Sequence, residues 1–394
     1  MDGATWPAER ARQKSLLVTA HFVFAGRVGG AEHMLYNLLH GLTEAGVTPT
    51  VLCADPANLD PAIVTELAAP GRLLACGGGR GSRFIAEQRS CLGRSLKADA
   101  ILFANYYVPP IVPRRLGRVS TIIHDVQFRH LPDFFSAKKR AWLMASQGFA
   151  IRRADAVVAI SEFVRRDLIR VYGDGVADKI VTIPNPISWE RFGPSDPARP
   201  IARPYILSVA AQYAHKNLLT LIRAFAIVAK RDPDVMLVFC GQSYAGLRGV
   251  KAAVSPLDAL VAELGLTDRV MMTGYVDDLS LGTWYRHAAL FAFPSLFEGF
   301  GMPAAEAIGF GLPTLTSDRT ALPEVTQGLA TTICEAEDAG AWASALLDAL
   351  GNPAAHRPDP TRAAALRESY GVRTIGEQYR RVAFGEASGD LRTP

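Results

Sequence analysis

The sequence predicts an α/β protein of two parallel-sheet domains, each wound from βαβ units. Three observations carry this. At 394 residues the chain is too long for one ordinary core and suggests two. Apolar runs of strand length alternate with helix-period segments along the whole chain. The stretch 193–204, GPSDPARPIARP, places four prolines among small and polar residues, which neither a helix nor a sheet accepts, so it reads as the linker. The expected organisation is a first domain over 1–192, the linker at 193–204, a second domain over 205–368, and a terminal helix with tail over 369–394.

The composition bounds the class. Hydrophobic residues make up 49% of the chain and charged residues 20%, which is globular and neither disordered nor membrane-spanning. No apolar run reaches the roughly 18 residues a bilayer span needs. The N-terminus has no apolar core after its basic residues, which argues against a cleaved signal peptide. Cys53, Cys76, Cys91, Cys240 and Cys334 show no C-x-x-C spacing and read as reduced thiols of a cytosolic protein, neither zinc ligands nor disulfides. Charge is uneven: the first 192 residues carry 24 Lys+Arg against 17 Asp+Glu, the remainder 18 against 21. The excess gathers at Arg114-Arg115, Lys138-Lys139-Arg140, Arg152-Arg153 and Arg165-Arg166, either a solvated face or one that attracts an anionic membrane. No nucleic-acid partner is expected.

Taken in order, Ser15–Ala20 is a first strand and His21–Val28 its loop. Gly29-Gly30-Ala31-Glu32 then opens a helix whose Met34, Leu35, Leu38, Leu39 and Leu42 share a face. A glycine pair between a strand and a helix suits the approach of a phosphate, but G-x-G-x-x-G is absent, so no dinucleotide fingerprint is present. Thr48–Ala54 is the second strand, and the stretch to Lys97 alternates helix-like and glycine-rich pieces. Ala98–Phe103 and Val119–Ile123 are buried strands, the latter ending in His124-Asp125, where open α/β sheets bind ligands. Helix Ala137–Arg152, strand Ala156–Ile160, a helix capped by Ser161, and strand Ile180–Ile183 complete the first half. The second half runs strand Tyr205–Ala210, helix Leu218–Lys230, strand Val235–Cys240, helix Leu257–Leu264, strand Val270–Thr273, a short helix Gly282–Ala288 and strand Ala289–Phe293. Asp277-Asp278 reads as that short helix's cap. Further on, 341–350 and 361–368 are helical, and 369–382 forms the terminal helix.

The chemistry concentrates in Phe291–Ala307, FAFPSLFEGFGMPAAEA. A strand ends at Pro294-Ser295, a glycine loop follows, and Pro303 sits at the expected first position of a helix. Glu298 and Glu306 stand either side of the turn with seven residues between them. Gly299 and Gly301 let backbone approach a ligand, and the helix start offers N–H groups to an anion. Spacing alone fits equally well an ordinary βα unit with two surface acids.

The run from Pro294 to Val325, FPSLFEGFGMPAAEAIGFGLPTLTSDRTALPEV from Phe293, resembles the signature of the retaining glycosyltransferases of family 4, the "group 1" enzymes. The likeness is strongest over 205–325 and weakest over 56–97 and 326–360. It implies the GT-B fold: two Rossmann-like domains facing a central cleft, with the terminal helix crossing back onto the first. It implies a nucleotide-diphosphate sugar donor, with GDP-mannose slightly favoured, and a saccharide or polyprenyl-diphosphate-linked saccharide acceptor. It implies a catalytic set of His124, Lys216 and Glu298. It also implies donor contacts from Gly29, Gly30, Lys216, the backbone at Phe300, Gly301 and Met302, and Glu306 toward the ribose. No metal or other cofactor is expected, because no Asp-x-Asp-like cluster faces the glycine turn. Two departures stand out. His215 precedes Lys216-Asn217 where relatives often carry arginine, and Asn185-Pro186 replaces Asn-Gly. A non-enzymatic sugar-binding protein would be expected to lose His124, Lys216, Glu298 or Glu306, and all four are present. A phosphorylase-like enzyme on the same fold is the other alternative. A nicotinamide oxidoreductase lacks its glycine motif here.

Overall fold

The structure is a computed structural model and describes residues 14–24, 29–67, 69, 71–79, 82–194, 198–243 and 255–386. Parts of three expectations fall outside them: residues 25–28 of the first loop, 195–197 of the linker, and the termini at 1–13 and 387–394.

Thirteen strands form two sheets among the described residues. The first holds β1 (Leu16–Thr19), β2 (Thr50–Cys53), β3 (Leu73–Ala75), β4 (Ala100–Phe103), β5 (Arg118–Ile123), β6 (Ala156–Ala159) and β7 (Ile180–Thr182), in the order β3-β2-β1-β4-β5-β6-β7. The second holds β8 (Tyr205–Val209), β9 (Met236–Cys240), β10 (Val270–Gly274), β11 (Leu290–Phe293), β12 (Thr314–Ser317) and β13 (Thr331–Ile333), in the order β10-β9-β8-β11-β12-β13. The recorded strand pairings are parallel, with Leu16 beside Ala100 and Leu290 beside Ile206. Strands LLVT, AILF, AVVA and LFAF bury every residue, the unbroken apolar pattern of parallel strands covered on both faces.

In each sheet the winding direction reverses at one place, between β1 and β4 and between β8 and β11. Beyond the carboxyl ends of such strands the flanking loops diverge and leave room for a ligand. Two apolar layers hold the second sheet. Leu221, Phe225, Val228, Trp342 and Leu346 cover one face, and Phe192, Tyr205, Tyr285, Phe291 and Phe293 the other.

By packing, the described chain divides into two compact units. One comprises the described residues up to Ile122, Ala145–Val157 and those from Gly376 on, the other the described residues of Ile123–Met144 and Val158–Ile375. In the first, the terminal helix packs so closely that a side chain at Gly376 would lie 2.0 Å from the Gly41 carbonyl oxygen.

Several local expectations are corrected. The terminal helix, expected from 369, begins at Val372 and runs to Phe384, because Gly371 bridges to Ile187. The helix expected at Gly282 begins at Asp278, since Asp277 caps it by accepting the Ser280 N–H. Strands β3, β12 and β13 were not expected: β3 and β13 are three residues long and only partly buried, and β12, TLTS, is buried but holds a single apolar residue among hydroxyl side chains, so it makes no apolar run.

Candidate active site

The site grows from the carboxyl ends of β8 and β11, the reversal point of the second sheet. After β8 the chain makes a tight turn, Ala214–Lys216, and Asn217 takes a left-handed conformation, φ 57°. Asn217 is a structural tie: its amide donates to the Pro294 and Ala336 carbonyls, and Thr220 donates back to it. The His215 carbonyl accepts the Leu296 N–H at 2.8 Å, which joins the loop after β8 to the loop after β11.

That stitching brings Lys216 to Glu298. Lys216 Nζ lies 2.6 Å from Glu298 Oε1, with the side chains 18% and 11% exposed. An ion pair so little exposed is screened weakly by salt. Glu298 is also fixed through its backbone, for its N–H donates to Thr320 Oγ1 at 2.9 Å.

His124 and Asp125 follow β5 and belong by packing to the same unit as Lys216 and Glu298. Asp125 accepts the Gln127 N–H at 2.9 Å. Burial pushes its carboxyl above the usual range, the Glu298 charge adds to this, and Lys216 opposes it. The His124 carbonyl faces Gly299: a Cβ there would stand 2.1 Å from its oxygen. Glycine at 299 is thus required by the chain's own backbone, where a ligand's approach was the expected reason.

His215 does not replace the missing positive charge. Burial first, and Lys216 second, lower its pKa from 6.5 to about 4, so it is neutral at pH 7. Its ring stacks on Tyr213 with centroids 5.7 Å apart.

The helix Met302–Gly309 opens at Gly301, which has φ 92° and no side-chain cap, so its first N–H groups have no side chain covering them. Pro303 occupies the second helical position, because the left-handed Gly301 serves as the cap one residue earlier than expected. Glu306 accordingly falls at the fifth helical position, the start of the second turn and one residue further in than expected. Phe300, Gly301 and Met302 are all buried.

Glu306 is 2% exposed. Arg191 Nη2 lies 2.5 Å from its Oε1, and the Tyr285 hydroxyl donates to Oε2 at 2.8 Å. Arg191 also pairs with Asp278 at 2.9 Å. Burial pushes the Glu306 carboxyl above the usual range while Arg191 and Tyr285 pull it back. Arg191 and Tyr285 were not foreseen. Nothing in local spacing ties Arg191 to a glutamate 115 positions away, and only the folded linker end makes the pair.

Gly29 and Gly30 lie in the other unit, at the exposed start of the helix Gly30–Glu44. There the Glu32 carboxylate accepts the Gly29 N–H at 3.1 Å. Among the described residues no three His, Cys, Asp or Glu side chains gather as a metal site requires.

Two family models match the chain in succession. The one described as "Glycosyltransferase Family 4" covers residues 28–191, and "Glycosyl transferases group 1" covers 195–367. The O-antigen chain mannosyltransferase B of Escherichia coli is 28% identical over 259 residues, 62% of this chain and 64% of that protein. The chain thus spans somewhat under two thirds of this relative's length. Among solved structures, the sucrose-phosphate synthase of Thermosynechococcus elongatus superposes with a TM-score of 0.72 at 19% identity, covering 94% of this chain and 98% of that one. Anabaena HepE, solved with UDP and glucose, gives 0.71 at 17%, covering 93% and 98%. At these identities both show the fold alone.

Proposed function

The chain belongs to the group 1 glycosyl transferases, and from that premise we propose that it moves a hexose from a nucleoside-diphosphate donor to a glycan or lipid-linked saccharide with retention of configuration. The observation that carries this is the Lys216–Glu298 pair standing at the carboxyl ends of β8 and β11, next to the uncapped start of the Met302 helix. A cation and free N–H groups at a helix start meet the charge that develops on a departing diphosphate. GDP-mannose is the favoured donor, on the mannosyltransferase relative, and bacterial-type polysaccharide synthesis is the favoured setting.

In this reading Lys216 and the amides of Phe300, Gly301 and Met302 hold the diphosphate, and Glu298 accepts a hydrogen bond from a donor-sugar hydroxyl. His124 is assigned to the sugar as well. Gly29 and Gly30 are assigned to phosphate on the grounds of their exposed helix start. Glu306 is assigned to the ribose through the lone pairs that Arg191 and Tyr285 leave, since each carboxylate oxygen accepts up to about two bonds. The acceptor hydroxyl gives its proton to the departing phosphate on the face it leaves, so Glu298 is no nucleophile. No metal step is included.

Proton NMR of the product anomer, with and without EDTA, tests both halves. The expected product retains its configuration in either condition; an inverted anomer removes the retaining assignment, and activity lost to EDTA but restored by magnesium removes the metal-free site. Thermal shifts with GDP-mannose, UDP-glucose and UDP-N-acetylglucosamine identify the donor.

We also propose peripheral contact with anionic membrane. The helix Ala137–Arg153 contains Lys138, Lys139, Arg140, Arg152 and Arg153 with no acidic residue, and it exposes Trp142 and Phe149. No described helix is long and apolar enough to cross a membrane. Binding to phosphatidylglycerol vesicles should fall as salt rises; absence of binding at low salt would leave a solvated face.

A further inference from the structure

We propose that Ser161 and Glu324 are positioning residues that fix the Glu298 turn, an inference that rests on the reading of Glu298 as the donor-sugar contact. Neither belongs to the assigned site, and neither lies near Glu298 in sequence.

The helix Glu162–Tyr172 starts with three N–H groups that have no partner within the helix. Two of them go to one carboxylate. Glu324 Oε1 accepts from Glu162 at 2.6 Å and Oε2 from Phe163 at 2.9 Å. The third, from Val164, goes to Ser161 Oγ at 3.1 Å. The Ser161 hydroxyl then spends its single proton on the Gly299 carbonyl, at 2.7 Å. A cap that needs only a lone pair is therefore also a tether.

The other side of the turn is held from the segment that carries Glu324. Thr320 Oγ1 accepts the Glu298 N–H at 2.9 Å. Thr320 adopts φ 56°, a left-handed conformation that a β-branched residue takes only where its surroundings demand it. Four residues further on, Glu324 reaches the helix that begins next to Ser161. The hydrogen bonds and the chain between them close a ring: Glu298 to Thr320, along the chain to Glu324, across to Glu162 and Phe163, back to Ser161, and on to Gly299. The Glu298 N–H and the Gly299 carbonyl are held from opposite sides, so the backbone between them cannot rotate without breaking a bond of the ring. Packing agrees, because a Cβ at Gly299 would meet the His124 oxygen at 2.1 Å and Ile160 Cδ1 at 3.4 Å.

The ring has a consequence for catalysis. A carboxylate that grips a sugar hydroxyl must stay within about 0.5 Å of its productive place. Lys216 alone does not achieve that, since an ammonium on a flexible stem follows a moving carboxylate. Ser161 and Glu324 supply the rigidity from outside the site.

The test uses the full chain and three variants, Ser161→Ala, Ser161→Thr and Glu324→Gln. Hydrogen–deuterium exchange of the amides at 296–301 is measured alongside GDP release from GDP-mannose, GDP affinity and melting temperature. Ser161→Ala and Glu324→Gln should raise exchange at 296–301 at least tenfold over β11 and the Met302 helix. They should also lower turnover tenfold or more with GDP affinity within twofold. Ser161→Thr, which keeps the hydroxyl, should restore both. Unchanged exchange at 296–301, or a rise spread evenly over the second sheet, would overturn the proposal, because the first removes the tether and the second describes plain destabilisation. A wild-type chain that releases no GDP would count against the donor reading alone, and the exchange result would still decide this one.

Discussion

Two of the helices that start at glycine, Gly30–Glu44 and Met302–Gly309, do so for opposite reasons. At the Met302 helix the glycines are demanded by the chain. Gly301 sits at φ 92° with Leu322 where a Cβ would go, and Gly299 lies against the His124 carbonyl. At the Gly30 helix nothing is demanded. Gly29 is extended at φ −123°, a Cβ at Gly30 meets no atom within 4 Å, and both residues are exposed. One start is a packed joint, the other an open end whose nearest anion is its own Glu32. Identical letters in a sequence therefore carry different information: the first pair reports packing, and the second is left for solvent or a ligand to explain.

The widest separation between the two should come from adding one methyl group. Gly299→Ala forces the turn away from His124 and should cost about 3 kcal/mol, the upper range for overpacking. Circular dichroism melting would register a large drop in melting temperature, and an unchanged melt would mean the joint is soft. The two glutamates sharpen the contrast within the packed region. Glu306→Ala leaves Arg191 buried with Asp278 alone and should cost about 3 kcal/mol as well as donor affinity. Glu298→Ala should leave the melt closer to wild type and lower turnover instead. Equal melts and equal turnover for both variants would dissolve the distinction.

A smaller effect compares the two histidines that follow β1 and β8. Burial lowers His21 from 6.5 to about 4, and burial with Lys216 lowers His215 to about 4. The unfolded chain binds these protons at higher pH than the folded one. Stability is therefore complete above about pH 6.5 and is lost as pH falls toward 4. By pH 5 the more deeply buried His21 should account for about 2 kcal/mol, and the partly exposed His215 for less. Melts of a His21→Phe, His215→Gln double variant should flatten between pH 7 and 5; an unaltered slope would assign acid sensitivity elsewhere. The smallest change is expected at the open end. Gly30→Ala should shift stability by no more than about 0.5 kcal/mol, since alanine suits a helix start with free space around it. Reduced GDP-mannose affinity in that stable variant would support the phosphate assignment, and unaltered affinity would remove it.

The sequence by itself determined the two α/β layers, because apolar runs of strand length and helical periodicity are local properties of the chain. It also located the Glu298–Glu306 turn between a strand and a helix, and the Asp277 and Ser161 caps, which depend on neighbours three residues away. The tertiary structure decided what those residues touch. Lys216 meets Glu298 across 82 positions, Arg191 meets Glu306 across 115, and Glu324 meets Glu162 across 162. No periodicity encodes such pairs, which arise only when strands distant in sequence become neighbours in a sheet. The same holds for charge. The sequence left open whether His215 replaces the positive charge often found before Lys216, and burial beside Lys216 lowers its pKa to about 4. Ionisation depends on the surrounding dielectric and on charges a few ångströms away, and these exist only once the chain has folded.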